Sequence, residues 1–350
     1  MSGYHRRPET ERRSEKPVAA RLREFLGLGS RHRPEREPPR STPSIPPDFD
    51  DFWSKTTAEL AEVPKDVYRE PIPTNGGPLL FERLSFGSLG GVRISGYAIR
   101  WREAVQRPLV VHGHGYGGDF EHMWHWAESG VNVLGVEVRG YGHSREALPQ
   151  RSSWGYVLTG IGSPEEHVLR GAVCDYARAV EVGRELLGSR TSRTVLHGTS
   201  FAGGLAVMAE ALLEAADLLV VTVPSLGWVE ARRYMASKGS GAEISHFLEE
   251  HPEHEAHAMD VLSYFDAVNF ADTVRCPTLV GVGLWDEIVP APTVHAIADR
   301  LGGPYEVVTL PVSHAGLPEE EFFRERFEKY WLRLAFEGVP AHFGVTLNPS

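Results

Sequence analysis

A serine, an aspartate and a histidine follow one another down this chain, each placed where hydrolytic chemistry could use it. The serine is Ser200, within Val195-Leu196-His197-Gly198-Thr199-Ser200-Phe201-Ala202-Gly203-Gly204. An apolar run leads into it and a helix-forming run at 205–213 leaves it. A serine on so sharp a strand-to-helix turn stands clear of the sheet. The positions two before and two after it must then be small, and here they are Gly198 and Ala202. A serine hydroxyl is a weak nucleophile at neutral pH, so it needs a base within hydrogen-bond reach and an acid that orients the base. Asp286 follows the apolar run at 278–282 through Gly283-Leu284-Trp285, with Glu287 as the alternative acid. His314 follows the run at 306–310 through Pro311-Val312-Ser313.

The same chemistry needs donors for a developing oxyanion. One is expected to be the N–H of Phe201, directly after the serine. The other falls in His112-Gly113-His114-Gly115-Tyr116-Gly117-Gly118, whose glycines let backbone approach a substrate. The N–H of His114 is assigned, with Gly115 as the alternative. Tyr116 and Trp285 are expected to wall the substrate pocket, and Phe201 and Trp285 to narrow its acyl side.

These residues need strands to carry them. Buried strands are predicted at 108–112, 131–138, 194–197, 218–223, 277–282 and 305–310. Helices are predicted at 119–128, 165–187, 201–215, 292–301 and 318–335. Ser163, Pro164 and Glu166 look like a capping box opening the 165 helix. A helix at 48–62 packs Phe49, Phe52 and Trp53, and a hairpin spans 79–85 and 92–101. Strands alternating with helices imply an α/β fold: a mostly parallel central sheet with helices on both faces. Residues 224–272 break the alternation and are expected to form a small helical cap. Candidate nucleophile, acid and histidine in that order, each after a predicted strand, lead us to expect an α/β-hydrolase fold. The domain runs from 48 to 340. Residues 1–47, rich in Arg, Glu and Pro, are expected to be a mostly disordered tail, with 19–28 a candidate for a short helix, and 341–350 a C-terminal tail.

At 350 residues and 41% hydrophobic content the chain can bury a sizeable core. Residues 1–40 hold ten Arg and one Lys against six Glu, a balance of +5, so a total of −11 leaves −16 on the rest. An acidic body argues against nucleic acid as a partner. No apolar run is long enough for a membrane span, and no apolar stretch of signal length follows Arg12-Arg13. Cys174 and Cys276, two and far apart, fit a reducing cytoplasm. His112 with His114, His122 with His125, and His251, His254 and His257 have spacings that could suggest a metal. No cysteine or carboxylate cluster joins them, so neither metal nor cofactor is expected.

Further stretches carry a family resemblance: Asp48-Phe49-Asp50-Asp51-Phe52-Trp53, Arg139-Gly140-Tyr141-Gly142, and Arg170-Gly171 with Asp175 and Arg178-Ala179-Val180-Glu181. Ser263-Tyr264-Phe265-Asp266 with Asn269-Phe270-Ala271, and Val282-Gly283-Leu284-Trp285-Asp286 with Val289-Pro290, complete the set. Together they resemble the acetyl xylan esterase / cephalosporin-C deacetylase family of α/β-hydrolases, from about residue 47 to the last helix. The resemblance implies a serine esterase that deacetylates short sugars and small esters, with catalytic Ser200, Asp286 and His314, and a homo-oligomer. The chain departs from the family at Phe201, where Gln is usual, at Ala202, where Gly is usual, and at His114, where Tyr is usual. Arg139 and Asp266 are read as structural. The alternatives are a hydrolase of other small apolar esters or amides, and a binding protein on a hydrolase scaffold.

Overall fold

The computed structural model describes residues 43–118, 120–341 and 343–344. The N-terminal tail up to residue 42, with its expected helix, and most of the C-terminal tail lie outside the described residues.

Among the described residues nine strands form one sheet: β1 (Tyr68–Ile72), β2 (Leu79–Ser88), β3 (Val92–Trp101), β4 (Arg107–Gly113), β5 (Asn132–Glu137), β6 (Thr191–Thr199), β7 (Leu218–Thr222), β8 (Thr278–Gly283) and β9 (Tyr305–Leu310). Their spatial order is β1-β2-β3-β5-β4-β6-β7-β8-β9. The pairings β1/β2, β2/β3 and β3/β5 are antiparallel. From β5 onward every pairing is parallel.

The helices are α1 (Phe49–Glu62), α2 (Trp124–Glu128), α3 (Val168–Leu187), α4 (Phe201–Leu213), α5 (Val229–Met235), α6 (Gly239–Glu250), α7 (Glu255–Ser263), α8 (Ala291–Ala298) and α9 (Glu321–Glu337). Side-chain alternation along the central strands sends Leu109, Val111 and Leu196 into one apolar layer with α3 and α4. It sends Val110, Val195 and Val220 into another with Trp126 of α2 and Phe327 and Trp331 of α9. Both faces of the parallel part are thus covered, and its strands read as continuous apolar runs rather than as alternation. Helix α1 seats Phe52 and Trp53 edge-on against Phe265, and Trp53 Nε1 donates to the Tyr264 carbonyl over 3.0 Å.

Three local readings differ from expectation. Strand β1 lies at the sheet edge, where one side of the ladder is free, so Pro71 and polar side chains are tolerated there. The helix expected at 119–128 is confined to Trp124–Glu128. The long helix starts at Val168 rather than 165. Ser163 Oγ does accept from the Glu166 N–H over 3.3 Å, but His167 is extended (φ −68°, ψ 133°) and its Nδ1 accepts from the Leu169 N–H as the cap. The His167 ring is committed by burial: it stacks on Phe265, and its Nε2 donates to the Val157 carbonyl over 3.0 Å. Between β7 and β8, helices α5, α6 and α7 occupy the stretch expected to be a cap.

Candidate active site

Strand β6 ends at Thr199 and α4 begins at Phe201, so Ser200 makes the whole turn. It does so at φ 55°, ψ −115°, a strained conformation for a residue with a side chain. Neighbouring backbone enforces it: the Ser200 N–H donates to the Thr222 carbonyl over 2.9 Å, and the Ser200 carbonyl accepts from the Ser225 N–H over 2.9 Å. The need for small residues is visible in space. A Cβ on Gly198 would lie 2.3 Å from the Ala202 carbonyl oxygen.

Asp286 and His314 leave the ends of the neighbouring strands β8 and β9. Their loops are tied together, because the Leu284 N–H donates to Leu310 O over 2.9 Å and the Trp285 N–H to Val312 O over 3.1 Å. His314 Nδ1 sits 2.7 Å from Asp286 Oδ2. The other carboxylate oxygen, Oδ1, accepts from the N–H groups of Ile288 and Val289 over 2.9 and 2.7 Å. The Asp286 side chain is wholly buried and that of His314 is 23% exposed. An acceptor-only carboxylate in that position makes Nδ1 the protonated nitrogen and leaves Nε2 a free base.

Ser200 and His314 border one cleft of about 490 Å³, together with Gly113, His114 and Gly115 of the loop after β4. Its lining also includes aromatic and apolar Phe120, Met123, Trp126, Phe327 and Trp331 and charged Glu121, Glu321, Arg324 and Glu328. Larger depressions of about 610 and 570 Å³ occur elsewhere, the first beside the start of β6. Size does not select the site here. Ligands of open α/β sheets bind at the carboxyl ends of the strands, where Ser200 lies.

The His114 side chain fixes its loop. Its Nε2 accepts from the Val138 N–H over 3.3 Å, so Nδ1 carries the proton and donates to the Gly115 carbonyl over 2.8 Å. Burial lowers its pKa and keeps it neutral.

Three aromatic expectations need correction. The Phe201 ring is fully buried among His114, Tyr116, Tyr141 and Tyr156, so it narrows no acyl pocket. Tyr116 is not among the residues bordering the cleft. Its hydroxyl donates to Glu243 of α6 and accepts from the Val157 N–H over 2.9 Å. Trp285 is half-buried beside Asp286 and is not among the residues bordering the cleft.

Other singled-out residues are held in the frame. His112 and His197 pack under Trp126, and burial pushes both down to about 3. Arg139 pairs with the fully buried Asp175 at 2.8 Å. Asp266 accepts from the N–H groups of Trp228, Val229 and Val268. Among the described residues no group of three or more His, Cys, Asp or Glu side chains could hold a metal ion. Glu320 and Arg324, beside the His314 loop, belong to no motif that marked them in the sequence.

A strained serine between strand and helix, a histidine and acid from later strands, and a parallel sheet covered on both faces define an α/β-hydrolase. The sequence profile of the family described as Acetyl xylan esterase (AXE1) matches residues 37–331, and the chain belongs to that family of carboxylic ester hydrolases. It is similar to the acetyl esterase Axe7A of Xylanibacter ruminicola, 20% identical over 302 residues that cover 82% of this chain and 67% of that one. Among solved structures it is similar to the acetyl xylan esterase from Paenibacillus sp. R4, with 27% identity and a TM-score of 0.74 over 83% of this chain and 96% of that one. The fold is also that of acetyl xylan esterase 1 from Thermoanaerobacterium sp. JW/SL YS485, with 21% identity and a TM-score of 0.75 over 84% and 95% of the two chains.

Proposed function

We propose that this chain is a serine esterase that removes acetyl groups from short acetylated sugars or similar small esters through an acyl-enzyme. The observation that carries the reading is the His314 Nδ1 to Asp286 Oδ2 contact of 2.7 Å, made beside the cleft that Ser200 also borders. In the first half-reaction Ser200 Oγ attacks the ester carbonyl carbon and its proton passes to His314 Nε2. The carbonyl electrons collect on oxygen, facing the N–H of Phe201 and that of His114 or Gly115. The tetrahedral adduct collapses, the C–O bond to the alcohol breaks, and the alcohol leaves with the proton from His314. Water then repeats the sequence: it gives a proton to His314, attacks the acyl carbon, and releases acetate and free Ser200. Asp286 keeps the imidazole in its tautomer and stabilises the imidazolium without taking its proton.

The family match and the similarity to named acetyl esterases support an acetyl group as the acyl part. The aromatic residues in the cleft's lining favour a second reading, hydrolysis of larger apolar esters. A series of p-nitrophenyl esters from acetyl to octanoyl, run beside acetylated xylo-oligosaccharides, separates the two. Deacetylation predicts the highest kcat/KM for acetyl or propionyl and release of acetate from the sugars. A steady rise toward octanoyl with inert sugars would establish the second reading instead. Two free cysteines fit a reducing compartment, and we read the protein as cytoplasmic, with a homo-oligomer as its assembly. Among the described residues no helix is long and apolar enough to cross a membrane.

A further inference from the structure

The loop that carries His314 is gripped from outside the triad. Glu320, at the start of α9, is 1% exposed. Its Oε1 accepts from the Ser313 N–H over 2.7 Å, and its Oε2 from the Leu317 N–H over 3.3 Å. Arg324, one turn further on, donates through Nη2 to the Ser313 carbonyl over 2.7 Å and to Glu320 Oε2 over 3.3 Å. Both backbone polar groups of Ser313, the residue directly before His314, are therefore held by one ion pair, and the Leu317 N–H is held on the other side.

The enclosed segment has little else to stiffen it. Ala315 and Gly316 are exposed, and Gly316 has a φ of 67°. Asp286 orients the imidazole but does not fix the backbone that bears it. Charge-assisted bonds to a buried carboxylate are the stronger kind, and they do fix that backbone.

We infer that Glu320 and Arg324 are positioning residues for His314: a carboxylate–guanidinium clamp on α9 that sets the backbone of the His314 loop, so that Nε2 faces Ser200. This rests on the proposed triad. It predicts that loosening the clamp at Glu320, which does not border the cleft as Arg324 does, slows proton transfer at Ser200 without altering substrate binding. A misplacement of about 1 Å at a reacting group costs on the order of 100-fold in rate.

The test uses the full chain with Glu320→Ala, Glu320→Gln and Arg324→Met, and with Ser200→Ala and His314→Ala as controls. The readouts are kcat and KM on p-nitrophenyl acetate and the time course of fluorophosphonate labelling. The labelling endpoint counts competent sites, and its rate constant reports how well each site's base is placed. For Glu320→Ala, kcat and the labelling rate constant should each fall by about 10-fold to 100-fold, with KM and the endpoint little changed. Glu320→Gln should fall between Glu320→Ala and wild type, because its amide oxygen replaces only one of the two acceptors. Arg324→Met, which frees the Ser313 carbonyl and takes the guanidinium from Glu320 Oε2 but keeps both bonds from the loop amides to Glu320, should lose less. If Glu320→Ala does not fold, the other two variants carry the test. A rate constant within threefold of wild type, or a loss confined to the endpoint, would overturn the clamp by making these residues merely structural. Retained activity in His314→Ala would instead overturn the triad reading on which the clamp rests.

Discussion

His314 and Asp286 meet through Nδ1 and Oδ2 at 2.7 Å, while the second oxygen of the same carboxylate is spent on the amides of Ile288 and Val289. That division of labour predicts the effect of Asp286→Asn. An asparagine must keep its oxygen on the two amides, since an NH2 group there would face two donors. Its NH2 then points at Nδ1, which must become an acceptor, and the ring proton moves to Nε2. A protonated Nε2 cannot take the proton of Ser200. We expect kcat on p-nitrophenyl acetate to drop by about 10⁴-fold, with the circular dichroism spectrum unchanged.

The turn at Ser200 predicts a steric result. Gly198→Ala puts a Cβ 2.3 Å from the Ala202 carbonyl, a backbone atom that cannot swing aside. The variant should lose both activity and melting temperature. Gly115→Ala, where a Cβ meets nothing within 4 Å, should leave the melting temperature nearly unchanged.

Tyr116 is expected to act as an anchor rather than as a pocket wall. Tyr116→Phe removes the donor to Glu243 and the acceptor for the Val157 N–H. Leaving the buried Val157 N–H and the half-buried Glu243 carboxyl without this partner costs about 1–3 kcal/mol. The loss should show in urea titration, together with faster hydrogen exchange across residues 239–250.

Glu210 predicts a pH dependence of stability. It is 2% exposed, and burial pushes its carboxyl up from 4.5 to about 7, against the pull of the Ala216 and Ala215 amides. Between those two values the folded protein holds a proton that the unfolded chain has released. Its contribution is therefore complete below about pH 4.5 and is lost as pH rises through about 7. The shift corresponds to at most about 3 kcal/mol. Glu210→Gln stays neutral throughout, so its stability relative to wild type should rise from pH 5 to pH 8 in urea titrations. A constant difference would contradict the shift.

Much of the fold could be read from the sequence, because buried parallel strands are continuous apolar runs and α4 begins directly at the small-residue turn. Ser200, Asp286 and His314, the proposed triad, could be singled out because each follows such a run. What could not be read depended on direction rather than type. Phe201 and Tyr116 are aromatic residues beside the serine, yet only tertiary packing decides that the Phe201 ring joins Tyr141 and Tyr156 and that the Tyr116 hydroxyl goes to α6. Strand β1 was hidden because an exposed edge carries no apolar pattern. Glu320 and Arg324 read as ordinary charges at a helix start, since the amides they hold come from a loop without a motif.

The claim on which the rest depends is that Ser200 is the nucleophile. Labelling the full chain with a fluorophosphonate, digesting it and locating the adduct by mass spectrometry tests it directly. The adduct should fall on Ser200 at one per chain, and Ser200→Ala should take up none and hydrolyse p-nitrophenyl acetate no faster than background. An adduct on another residue, or a folded Ser200→Ala with activity within tenfold of wild type, would contradict the account.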